Sequence, residues 1–152
     1  MLDDSETQPI PPTALILGGL GLLPFVVLAL SQWFAWPFIP SQRGLASGMI
    51  YGAVILSFLG GIRWGVALRP SPRQSFDLSA SVISSLIGWV ALLLSPVVGL
   101  GLLISGFLLQ ALWDILSVEQ GYLPNWYGKL RMLLTCGAVL ALFSMLARII
   151  VN

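Results

Sequence analysis

Five long apolar runs divide this chain, and little polar sequence lies between them. A membrane-spanning helix needs about 20 mostly apolar residues, within a range of about 17–25. The runs at 13–34, 44–68, 78–94, 97–117 and 129–151 all meet that length. The predicted fold is therefore all-α: an integral membrane bundle of five transmembrane helices occupying 13–152, after a polar, acidic, proline-bearing tail at 1–12 that reads as disordered. The tail carries Asp3, Asp4 and Glu6 and no basic residue. The run after it is longer than a signal-peptide core, so it is read as a mature helix.

The third and fourth runs are the hardest to separate. Taken as one helix they would be about 40 residues long, about twice what a bilayer requires. Ser95-Pro96 supplies the break, with Ser95 able to cap the next helix and Pro96 suited to its first turn. Pro24 predicts a kink in the first span, which Trp33, Trp36, Pro37 and Pro40 end at an interface.

Only 9% of the residues are charged, against 57% hydrophobic. A soluble domain carries about 25% charged residues, so lipid has to be the solvent. With 7 basic and 6 acidic residues and no basic arm, nothing points to nucleic acid. There is no histidine, and Cys136 is the only cysteine. Zinc sites of the Cys/His type, His-ligated haem and His-based nucleophilic triads are excluded, so no metal, cofactor or catalytic residue is assigned. Cys136, beside Gly137 in an apolar stretch, reads as a small packing residue.

Five spans put the tail and the loops at 69–77 and 118–128 on one side. Arg69, Arg73, Lys129 and Arg131 lie there, against Arg43 and Arg148 on the other. The excess predicts an N-in, C-out arrangement. Arg43 and Arg148 can snorkel to their own face.

Small residues recur at helical spacing. Gly44, Gly48 and Gly52 form one ridge, Ser57, Gly61 and Gly65 a second on the same span, and Ser81, Ser85 and Gly88 a third on the next. Such ridges let helices approach closely in lipid, and packing within one bundle is the favoured reading over a dimer face. They predict a central position for the second span.

Two charges stand inside spans and away from their ends: Arg63 and Asp114. Counting from the helix ends, both lie about 6–8 Å below the same membrane face, which invites a salt bridge between the second and fourth spans. Gln110, Asp114 and Ser117 share one face of the fourth span, Trp64 and Trp113 adjoin the charges in sequence, and Trp126, Tyr127 and Arg131 arrive from the last loop. Two readings stand at this level. One is a charge clamp between helices; the other is a polar pocket for an anionic headgroup or quinone-like ring.

YGAVILSFLGGIRWG (51–65), the isolated Asp of LWD (112–114) and PNWYGKLRMLLT (124–135) resemble the domain of unknown function 3429 family, which is transmembrane protein 69-like. The likeness runs from GLLPF in the first span to the fifth. It implies a small multi-span protein of a bacterial inner membrane and supplies no catalytic residue. The basic position before the Trp is often His in that family; Arg63 stands there in this chain, against a proton-shuttling or metal role.

Small size, glycine ridges and absent cofactor ligands predict a non-enzymatic accessory or scaffold subunit with other membrane proteins as partners. The alternative is a binder or carrier of a lipid or quinone-like amphiphile at the Arg63/Asp114 level.

Overall fold

The computed structural model describes residues 9–34, 37–68, 70, 72 and 74–151. It contains helices α1 (Pro12–Leu30), α2 (Ser41–Ala67), α3 (Gln74–Leu93), α4 (Pro96–Glu119) and α5 (Asn125–Val151). All five are long and apolar enough to cross a membrane. Most of the disordered-tail expectation, Trp36, Arg69 and Arg73 fall outside the described residues.

The helices outrun the apolar stretches at their polar ends. Residue α3 begins at is Gln74, whose Nε2 donates to the Ala67 carbonyl at the end of α2 (2.9 Å). Likewise α5 begins at Asn125, a full turn before the apolar run. By contrast α1 stops at Leu30, because Ser31 and Gln32 fold inward. The Gln32 amide there donates to the Ser41 carbonyl (3.0 Å), and Arg148 Nε donates to the Gln32 carbonyl (3.0 Å). Arg148, read as a snorkelling residue, thus ties α5 to the end of α1. Trp33 adds a hydrogen bond to Ser144 (2.9 Å) at the same level.

Pro24 lies within α1 and the helix continues through it. A proline lacks the N–H that would bond four residues back and crowds the preceding turn. The Tyr51 hydroxyl of α2 donates to the Gly21 carbonyl (2.8 Å), next to the Leu20 carbonyl that Pro24 leaves without its N–H, and ties α2 to α1 at the level of the proline. The α3–α4 break falls at Ser95-Pro96. Ser95 occupies the capping position without a side-chain cap bond, and Pro96 opens α4. That corrects the expected hydroxyl cap, while Pro96 fits the first helical position because no intrahelical bond calls for an N–H there.

The end of α4 is closed by Gly121 at φ 76°. Its N–H bonds the Val118 carbonyl and the Tyr122 N–H bonds that of Ser117, both 2.9 Å. This pair of bonds needs the left-handed conformation that glycine adopts without penalty.

Helix α2 is central and packs against all four others. Its Gly44–Gly48–Gly52 ridge is buried: a Cβ on Gly44 would meet Ser31, one on Gly48 would meet Met145, and one on Gly52 would meet Leu103. The second ridge is corrected. Gly61 and Gly65 face open space, and the packing glycine is Gly60, set against the Ser81 carbonyl of α3. Residues one apart differ by about 100° around a helix, so a one-residue error turns a packing face outward. On α3 the buried small residues are Ser81, Ser84, Gly88 and Ala91, with Ser85 only half-buried.

The core is a column of fully buried Phe25, Leu56, Leu100, Leu103, Phe107, Leu142 and Met145. Phe25 links α1 edge-on to Tyr51 and Phe107, with ring centroids 4.9 and 5.9 Å away. Outside, Ile16, Leu17, Phe58, Leu109, Leu140 and Phe143 are all mostly exposed, an apolar surface suited to lipid. Cys136, expected as a small packing residue, is exposed on this outer face.

Candidate functional site

Asp114, 1% exposed, is the hub of a buried charge cluster. Arg63 Nη2 of α2 donates to its Oδ1 at 2.9 Å, and Arg131 Nε of α5 donates to its Oδ2 at 2.8 Å. Both carboxylate oxygens are therefore held by arginines from different helices, binding α2, α4 and α5 at one level. Arg63 Nη1 also donates to Ser117 Oγ (3.1 Å) and lies 3.7 Å from Asp77 in the first turn of α3. Charge-assisted bonds of this kind are short and strong, and in low dielectric they compensate the desolvation of the ions.

The Arg63 guanidinium sits over the Trp113 ring, 4.7 Å from its centroid, and Phe76 stacks on that ring at 4.7 Å. Of the residues grouped by sequence, Arg63, Asp114, Ser117, Trp113 and Arg131 come together. Trp64 does not: it is half-exposed on the outer face of α2, the next residue around from Arg63. Gln110 lies one turn away from Asp114 and accepts from Ser84 at 2.8 Å. Trp126 packs edge-on against Tyr127. Asp77 and Phe76 were not singled out from sequence, and Thr135 entered only as the end of the PNWYGKLRMLLT run. An Asp beside a polar loop carries no signal of its own, and only helix rotation aims these side chains.

A cavity of about 310 Å³ adjoins the cluster between α1, α2 and α5, with Phe107 of α4 at its floor. Its α5 wall runs from Tyr127 to Ala138, about 16 Å along the helix. That wall carries Tyr127, Arg131 and Thr135 on successive turns, whereas the α1 and α2 walls are apolar. There Arg131 Nη2 and Thr135 Oγ1 are buried without a hydrogen-bond partner. Leu17 and Phe58, both on the rim, are largely exposed, so the cavity opens sideways to lipid. A second groove of about 310 Å³ lies between α3 and α4, lined by Phe76, Ile83, Ser84, Gly106, Gln110 and Trp113. Both cavities fall in the lower range for small-molecule sites.

Residues 10–147 match the family described as protein of unknown function (DUF3429). This chain belongs to that family. Transmembrane protein 69 of Xenopus tropicalis is 34% identical over 153 residues, covering 97% of this chain and 58% of the relative. Transmembrane protein 69 of Mus musculus is 32% identical over 143 residues, covering 86% and 54%. The chain thus spans a little over half the length of these curated relatives. No solved structure matches it. Membership makes it a multi-helix integral membrane protein. Both relatives are animal proteins, so they do not support the bacterial inner membrane expected from sequence.

Proposed function

We propose that this protein binds a membrane amphiphile in the cavity between α1, α2 and α5, with the ligand's head at Arg131 and its tail along the apolar wall. The supporting observation is a lipid-accessible, largely apolar cavity whose α5 wall presents buried, unpartnered hydrogen-bonding atoms, Arg131 Nη2 and Thr135 Oγ1 among them. A buried polar group without a partner costs about 1–3 kcal/mol, more when charged, and a ligand head with acceptor oxygens removes that cost. On this reading the Arg63–Asp114–Arg131 cluster is a clamp that fixes the arginine facing the cavity. The role is non-catalytic, and an N-in, C-out insertion in a bacterial inner membrane is the proposed setting.

The test is the amphiphile content of protein purified in mild detergent. Gly21 lines the cavity, and a Cβ there meets only the Tyr51 hydroxyl at 4.0 Å. Gly21→Leu should therefore fill the space and strip co-purifying amphiphile while the protein stays monodisperse. Thr135→Val, which keeps volume and removes the hydroxyl, should lower retention. Wild-type content in both well-folded variants would remove the proposal.

A second reading, an accessory subunit of a larger membrane complex, draws on the outward Gly61 and Gly65, which have nothing within 4 Å. Small residues on a lipid-facing surface admit a partner helix. Native mass spectrometry at native expression would find a lone monomer if this reading is wrong.

A further inference from the structure

Resting on the amphiphile-binding proposal, the geometry points to the class of head group: we infer that the ligand's head is uncharged and carries carbonyl oxygens. Arginine has N–H donors and no acceptor, so the free Nη2 of Arg131 calls for an acceptor oxygen on the ligand. Thr135 Oγ1, one helical turn deeper and also unpartnered, can donate to a second oxygen or accept from the head. Arg131 is 4% exposed and Thr135 5% exposed, so water reaches neither freely.

Charge balance then separates neutral heads from anionic ones. The cluster holds two cations, Arg63 and Arg131, and two anions, Asp114 and Asp77. Its formal charge is zero. Among the described residues, Lys129 and Glu119, the charges nearest in sequence to Arg131 and Asp114, are exposed at the helix ends. Arg131 lies six residues past Asn125, about 9 Å along α5. A carboxylate or phosphate carried to that depth would add a net charge with no unmatched cation among the described residues to receive it, which a membrane interior penalises. A neutral carbonyl takes the same hydrogen bonds without that cost. Sites built for anionic heads present surplus cations instead.

Two sources share this chemistry: the ring of a membrane quinone and the ester carbonyl of an uncharged glyceride. In both cases the tail would lie along Leu22, Phe25 and Ala138 and leave between Leu17 and Phe58.

The experiment uses the full chain in zwitterionic-lipid nanodiscs and three probes with the same alkyl tail: a benzoquinone, a monoacylglycerol and a fatty carboxylate, at alkaline pH so that the last is ionised. Binding is read by native mass spectrometry, with Gly21→Leu as the control for cavity occupancy. At least one neutral probe should bind about ten-fold more tightly than the carboxylate, and the tighter of the two identifies the source. Asp77→Asn leaves Asp114 and the cavity wall intact while giving the cluster a net positive charge; it should erase or reverse the preference. Tighter binding of the carboxylate to wild type overturns the inference and leaves amphiphile binding standing. An unchanged preference in Asp77→Asn overturns the charge-balance argument. Saturable binding of none of the three, or binding unaffected by Gly21→Leu, overturns the amphiphile-binding proposal itself.

Discussion

Asp114 is shut off from solvent between two arginines, and each oxygen serves a different helix. Replacing it by Asn preserves shape but leaves both guanidinium groups buried without their shared counter-charge. The expected loss is about 3–5 kcal/mol, read as a lower midpoint in detergent unfolding. Arg131→Met should cost less, because Asp114 keeps the Arg63 bond at 2.9 Å; equal losses for the two variants would contradict the hub geometry. Arg63 and Asp114 were legible in the sequence because intramembrane charges are rare and expensive. Arg131 was grouped with them as a residue arriving from the last loop, without a partner assigned to it. Its place in the cluster depends on α5 starting at Asn125, a turn earlier than hydropathy shows. With Arg131 buried, the loop charges favouring N-in are Arg69, Arg73 and Lys129 against Arg43 and Arg148.

Among the elements, α2 separates two glycine functions on adjacent residues. A Cβ at Gly60 would lie 2.5 Å from the Ser81 carbonyl, a backbone atom that cannot swing aside, whereas one at Gly61 meets nothing within 4 Å. Gly60→Val should therefore separate α2 from α3 and cost about 1–3 kcal/mol. Gly61→Val should stay within about 0.5 kcal/mol of wild type. Equivalent thermal stability in detergent for the two variants would refute this register. The Gly44–Gly48–Gly52 ridge was correctly read from spacing, since a repeated four-residue interval stays on one helix face. The same rule misplaced Gly61 and Gly65, because spacing marks a small face without saying which neighbour it meets.

For the molecule as a whole, five spans place successive loops on alternating sides. With Cys136→Ser as background, Tyr122→Cys should react with a membrane-impermeant thiol reagent from the cytoplasmic side and Phe38→Cys from the opposite side. Labelling of both from one side would remove the five-span topology, and reversed sides would overturn only the N-in proposal. The number of spans, their approximate bounds and the family were already present in the sequence. Hydropathy length is a local property set by bilayer thickness, and family motifs are read residue by residue. The pairing of Arg63 with Asp114 was also foreseeable, since depth along a helix follows from counting residues. Tertiary structure alone decided the rotation of each helix about its axis, which brought Arg131 and Asp77 to the cluster, turned Trp64 outward and aimed Thr135 into the cavity. Rotation depends on which faces pack together across the bundle, and a uniformly apolar helix carries little periodic signal from which to read it.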